Sequence, residues 1–297
     1  MTSSGSSLPD KVTTRDGLKL ALKHWPLPKG QIPSGVVLIV HGLGEHIGRY
    51  EHVAQYLNRV GWAVAGYDQR GHGRSDGVRG ALKHDDDLLF DLAVVIDAVK
   101  AACPHPSLAV LGHSLGGLIV ARFVAAHANP VENVAWRRPI DLCLLSSPAL
   151  KIPLTGIQKV LLKTVGLFTP DFAVCNGLNP NWISTDRLVV QAFRNDPLVH
   201  DRVTGRLTRF MLDSSEVIRQ RAGHWTIPTL LMYSGPDRCV SPSGSRQLAA
   251  NLPAALMRAK EYEHMAHEIF NEPDQENVLR EMENWLSCVS IGNHGLR

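Results

Sequence analysis

The residues best suited to covalent chemistry lie in Gly112-His113-Ser114-Leu115-Gly116. A serine hydroxyl attacks an acyl carbon only when a base takes its proton and a carboxylate orients that base. The apolar run Leu108 to Leu111 reads as a buried strand, and apolar residues resume at helical spacing through Phe123 and Val124. Ser114 therefore sits on a sharp turn between a strand and a helix. That turn strains the serine backbone, so the residues two positions either side must lack side chains where strand and helix approach. The helix points its positive N-terminal end at the place where an oxyanion would develop. G-x-S-x-G alone recurs by chance; its position between strand and helix carries the reading.

In parallel sheets, reactive groups stand on loops beyond the carboxyl ends of strands. Asp237, in Ser234-Gly235-Pro236-Asp237, follows the apolar run Thr229 to Tyr233. His267, in His264-Met265-Ala266-His267-Glu268, follows a strand near Met257 to Tyr262. The 30-residue interval between them accommodates one helix and one strand. His264 is a rival base. His113 flanks the serine, with its side chain expected to point away from a substrate carbonyl. Asp201 and Asp213 read as solvated, and Asp68, beside Arg70, Arg74 and several glycines, as part of a structural turn. Two backbone N–H groups must hold the oxyanion. One is Leu115, directly after the nucleophile; the other is Leu43, in the loop His41-Gly42-Leu43-Gly44 that follows the strand Val36 to Val40. Each such donor stabilises a transition state by about 2.7–4 kcal/mol.

The elements that position these groups alternate. A hairpin turns at Asp16-Gly17. Strands follow at Val36–Val40, Trp62–Tyr67, Leu108–Leu111 and Leu142–Leu145, separated by helices near Tyr50–Val60, Asp85–Ala101 and Leu115–His127. This predicts a mostly parallel central sheet with helices on both faces. The alternation stops between residues 150 and 223, which read as an inserted cap. Arg202 to Gln220 within it looks helical. The rhythm resumes with Thr229–Tyr233, a helix from Gly244 to Leu252, the Met257 strand and a last helix from Gln275 to Ser287. Residues 1–10 read as a flexible tail, and residues 11–149 and 224–297 as the core.

The chain has 297 residues, 44% of them hydrophobic and 20% charged, with a formal net charge of +3. That balance offers no basis for nucleic-acid binding. The 14 histidines are scattered, and His264-Met265-Ala266-His267 is not H-E-x-x-H, so the spacing shows no metal site and the chemistry calls for no cofactor. Five cysteines, Cys103, Cys143, Cys175, Cys239 and Cys288, with no C-x-x-C pair and no secretory signal, predict free thiols in a cytoplasmic, reducing setting. No apolar run approaches the ~20 residues of a membrane span. Cys239, two residues beyond Asp237, is expected near the site, either buried and inert or open to thiol reagents.

HGLGEHIGRY, YDQRGHGRSDG, GHSLGG, SGPDRCV and HEIFNEP together resemble the monoacylglycerol lipase and lysophospholipase family of serine hydrolases, over roughly Leu18 to Leu286. The resemblance implies the α/β-hydrolase fold with Ser114, Asp237 and His267 as catalytic triad. It also implies that the insertion is a lid over an acyl-chain tunnel, and that Glu45, Arg49 and His113 line the glycerol end. A salt-bridged loop and a packed elbow histidine are the alternative reading of those three. Phe270 departs from the family pattern, in which this position is often polar or histidine. The implied reaction is cleavage of monoacylglycerols, or similar lipid esters, to fatty acid and glycerol through an acyl-enzyme. The apolar Leu150 to Phe168 stretch, with Lys151, Lys159 and Lys163 interleaved, suits an acyl chain and peripheral membrane contact, or packing on the core. A broad carboxylesterase, lysophospholipase or peptidase fits the same scaffold, and a non-catalytic binding protein is the alternative of another class. A dehalogenase or epoxide hydrolase would carry a carboxylate where Ser114 stands.

Overall fold

Successive side chains of a strand point to opposite faces of its sheet, and a strand apolar at every position must be covered on both. The third strand, β3 (Gly35–Val40), is of this kind. Val36, Leu38 and Val40 enter one core, and Val37 and Ile39 enter the other. The strand that leads to the serine repeats the pattern, with Leu108 and Val110 on one side and Ala109 and Leu111 on the other. The computed structural model describes residues 8–103, 107–128, 134–152 and 171–294, the last five of them by backbone alone.

The strands are β1 (Lys11–Thr13), β2 (Lys19–Trp25), β3, β4 (Trp62–Tyr67), β5 (Ser107–His113), β6 (Leu142–Ser146), β7 (Ala173–Cys175), β8 (Arg202–Thr204), β9 (Thr229–Ser234) and β10 (Met257–Tyr262). Eight form one sheet in the order β1-β2-β4-β3-β5-β6-β9-β10. β1 and β2 are antiparallel, β2 is antiparallel to β4, and every other pairing is parallel. This is the mostly parallel sheet covered on both faces that the alternation of elements predicted, and the α/β-hydrolase architecture that the resemblance implied. On one face lie α1 (Glu51–Arg59) and the long helix Gln275–His294. On the other lie α2 (Asp87–Ala102), α3 (Leu115–Ala125) and the helices Gly205–Arg221 and Pro242–Asn251.

Among the described residues, the chain between β6 and β9 adds no strand to that sheet; β7 and β8 pair only with each other, antiparallel. The helix expected from Arg202 begins three residues later. Arg202–Thr204 is extended because it pairs with Ala173–Cys175, and Thr204 then caps the helix by accepting the Leu207 N–H on its hydroxyl. The apolar stretch of residues 153–168, with Lys159 and Lys163, lies outside the described residues.

Candidate active site

Loops at the carboxyl ends of four parallel strands, β3, β5, β9 and β10, build the site. The first is the turn after β5. Ser114 holds φ 52° and ψ −116°, a region that side chains rarely adopt. Its backbone is tied on both sides: Ser114 N–H donates to Ser146 O at 2.9 Å, and Ser114 O accepts from Leu118 and from Ala149 at 3.0 and 2.9 Å. The flanking glycines answer to crowding. A Cβ on Gly112 would lie 2.4 Å from Gly116 O, and one on Gly116 would lie 2.0 Å from Val40 O. Leu115 opens α3, where the first N–H groups have no partner within the helix.

The second is the loop after β3. The Gly42 N–H donates to Glu45 Oε1 at 2.5 Å, which leaves Leu43 as the next N–H available to an oxyanion. His41 clamps this loop. It is fully buried, accepts the Gln69 N–H on Nε2 at 2.9 Å and so donates from Nδ1 to Gly42 O at 2.8 Å. Burial lowers its pKa and keeps it neutral, against the pull of Glu45 and Asp68. Asp68 is structural, accepting backbone N–H groups from Ile47 and Arg74.

The third and fourth are the loops after β9 and β10. His267 Nδ1 lies 2.7 Å from Asp237 Oδ2, while Asp237 Oδ1 accepts the Cys239 and Val240 N–H groups at 2.8 and 3.0 Å. Burial works to lower the His267 pKa. The charge and hydrogen bond of Asp237, with Glu268 and Glu45 behind them, outweigh it and raise the pKa above the ordinary imidazole value. With Nδ1 engaged, Nε2 is the ring nitrogen left to exchange a proton. His264 is exposed, and the Asp237 carboxylate is bonded to His267 instead. Asp213 is exposed; Asp201 is exposed and paired with Arg202.

Ser114, His267, Leu43, Glu45 and His113 all line one cavity of about 340 Å³. His113 is a wall of that cavity rather than turned out of it. Its ring stands 4.9 Å from the His267 ring, its Nδ1 lies 3.0 Å from Ser146 Oγ, and burial, with His267 beside it, pushes its pKa down to about 3. Glu45 reaches the cavity, yet both its oxygens are engaged, Oε1 by Gly42 and Tyr50 and Oε2 by Arg49. Arg49 does not line the cavity, contrary to the expectation of direct contact. Its guanidinium is held between Glu45 and Glu268, with Phe193 against it. Phe270 belongs to the core under the sheet, which removes it from the alcohol side.

Sequence reasoning missed the residues that the chain between β6 and β9 brings to the cavity, among them Leu178, Ile183, Phe193, Asp196, Val199 and His200. None lies in a chemical motif. His200 N–H donates to Gly44 O at 2.9 Å, and His46 Nε2 bonds Asp196 at 2.8 Å, so this segment docks on the loop after β3. Glu268 was also missed, although it is next to His267. Cys239 is buried and lines the cavity; burial, and then Asp237 and Glu268, push its thiol pKa up.

Residues 31–274 match the family described as serine aminopeptidase, S33 (Hydrolase_4). A monoacylglycerol lipase of Mycolicibacterium smegmatis is 36% identical over 260 residues, covering 86% of this chain and 88% of that one. The crystal structure of a Paleococcus ferrophilus monoacylglycerol lipase superposes with a TM-score of 0.77 at 32% identity, covering 90% of this chain and 98% of that one. An uncharacterised abhydrolase domain-containing protein of Dictyostelium discoideum is 32% identical over 96% of this chain, which spans only 29% of that longer protein.

Proposed function

We propose, from the premise that this chain belongs to the serine aminopeptidase S33 (Hydrolase_4) family of hydrolases, that it is a serine ester hydrolase of monoacylglycerols. The observation that carries the reading is the single cavity on which Ser114 and His267 open, with His267 Nδ1 bonded to a carboxylate that two backbone N–H groups hold in place. Ser114 Oγ attacks the ester carbonyl as His267 Nε2 takes its proton. Asp237 fixes the tautomer and stabilises the imidazolium. The Leu43 and Leu115 N–H groups receive the oxyanion. His267 then protonates the leaving glycerol oxygen, and a water that it activates releases the fatty acid.

The cavity supports an ester substrate over a peptide with a free amino terminus. Binding an α-ammonium group calls for an unoccupied carboxylate. Among the described residues, the four acids that line the cavity, Glu45, Glu268, Asp196 and Asp201, are each bonded to a basic side chain, namely Arg49 for the first two, His46 and Arg202. Leu43, Leu178, Ile183, Phe193 and Val199 supply apolar wall for an acyl chain. His113 and Glu45 face the substrate, and Arg49 acts through Glu45 as a positioning residue.

Among the described residues no helix is long and apolar enough to cross a membrane. Peripheral contact is supported by Phe172 and Val174, two residues apart and exposed, close in sequence to Leu178 at the cavity. Free thiols at all five cysteines support a reducing, cytoplasmic setting. Labelling with a fluorophosphonate tests the nucleophile: the native protein and His264→Ala should react, and Ser114→Ala and His267→Ala should not. Labelling of Ser114→Ala, or failure of the native protein, would remove the proposal. A rate panel of monoacylglycerols, diacylglycerols, lysophospholipids and short esters separates it from a broad esterase. Phe172→Ser with Val174→Ser should lower sedimentation with liposomes; unchanged sedimentation would discard the membrane contact.

A further inference from the structure

Asp237, Cys239 and His267 form a second grouping inside the site. A carboxylate oxygen, the thiol sulfur and a ring nitrogen all lie within 4.8 Å of one another. The spacing of these residues along the chain shows no metal pattern; only the packing of the β9 and β10 loops brings them together. All three are buried, and Cys239 and His267 also line the cavity, so a fourth position opens toward solvent through the substrate space. We propose that this cluster is an inhibitory site for a soft divalent cation of the zinc type, a reading that rests on His267 being the base of the hydrolase.

One thiolate, one imidazole and one carboxylate with one open position is a donor set suited to Zn²⁺. Zinc bonds of 2.0–2.3 Å place tetrahedral ligand atoms roughly 3.3–3.8 Å apart. His267 Nδ1 and Asp237 Oδ2, now 2.7 Å apart, would separate by roughly 0.6–0.9 Å, a rotation that the imidazole and one carboxylate oxygen can make. Asp237 Oδ1 would keep its bonds to the Cys239 and Val240 N–H groups, so the loop itself need not move. Coordination to a cation favours the thiolate form of the Cys239 side chain.

The protons balance as follows. The cation replaces the proton on His267 Nδ1, a proton is taken up at Nε2, and the Cys239 thiol proton is lost. One proton is released to solvent for each ion bound. Nε2 is the atom that must be unprotonated to receive the Ser114 proton, so the bound ion silences the base while the fold stays intact.

The test is equilibrium dialysis of Zn²⁺ alone against Ser114→Ala protein in which Cys175→Ser and Cys288→Ser remove the exposed thiols. One ion per chain is expected, with affinity at least tenfold weaker when Cys239→Ser is added. Co²⁺ in place of Zn²⁺ should show thiolate-to-cobalt absorption in the protein that keeps Cys239. Equal affinity with and without Cys239, or no thiolate absorption in the protein that keeps it, would overturn the site; the second readout needs no variant at Cys239. In protein that retains Ser114, Zn²⁺ should inhibit ester turnover and EDTA should restore it, each variant compared with its own metal-free rate. Zinc bound at the cluster of a chain with no esterase activity would retain the metal site and reject the hydrolase reading. Esterase activity with no zinc bound would do the reverse.

Discussion

Arg49 binds both oxygens of Glu268 at 2.6 and 2.7 Å and reaches Glu45 at 2.9 Å. Glu268 is next in the chain to His267, and Glu45 holds the Gly42 N–H beside the oxyanion loop. One guanidinium therefore joins the loop that would bind the oxyanion to the loop that would supply the base. Arg49→Ala leaves two buried carboxylates without a cation. It should lower stability by about 3–5 kcal/mol in urea unfolding and reduce kcat more than it alters KM. Adding Glu45→Gln should restore part of the stability. An Arg49→Ala protein as stable as the native one would show that this triad holds nothing together.

As the proposed base, His267 must be neutral to accept a proton. Its pKa is raised, so kcat/KM should climb with pH through a midpoint above the ordinary imidazole value of about 6.5 and level off beyond it. Asp237→Asn removes the nearest charge that raises the pKa and leaves burial, which lowers it, opposed only by Glu268 and Glu45. The midpoint should then move down, while the plateau falls about 10⁴-fold through the wrong tautomer. A pH–rate profile of both proteins checks the direction; a midpoint that stays in place would sever the link between Asp237 and the base.

Gly44 and Gly177 share a left-handed backbone, φ 79° and 73°, but not a neighbourhood. A Cβ at Gly177 meets nothing within 4 Å, whereas one at Gly44 would stand 2.2 Å from His200 O. Gly177→Ala should cost about 1–2 kcal/mol of stability, the conformational penalty alone, with activity retained. Gly44→Ala should cost more and depress kcat, because the displaced loop carries the Leu43 N–H. Equal effects on turnover would mean that the contact with His200 does not position that donor.

Thiol chemistry should sort by exposure and charge. Cys175 and Cys288 are exposed; Cys239 is buried and held protonated. Maleimide at neutral pH should label the two exposed cysteines first, with hydrolysis unaffected until Cys239 reacts. Peptide mapping against residual activity checks the order. Early loss of activity accompanying Cys239 labelling would show the cavity to be open to bulky reagents.

Much of this protein could be read before folding because local patterns carried it. Two-faced apolar strands in alternation with helices imply a parallel sheet, and residues just past strand ends fall on one rim whatever the details of packing. Ser114, Asp237, His267 and the Leu43 loop were found that way. Gly112 and Gly116 were legible because the close approach of strand and helix is a local constraint.

What remained depended on contacts between distant segments, which leave no periodic trace. That Arg49 faces Glu268 rather than the cavity, that His41 clamps Gln69, and that His200 docks on Gly44 each follow from residues more than 25 positions apart. The strand Arg202–Thr204 exists only because Ala173–Cys175 lies beside it, and a buried Phe270 is indistinguishable in sequence from one lining a pocket. Cys239 shows the division most directly: its place beside Asp237 is a matter of chain order, while its approach to His267, in the loop after the next strand, is set by two parallel strands ending at the same edge.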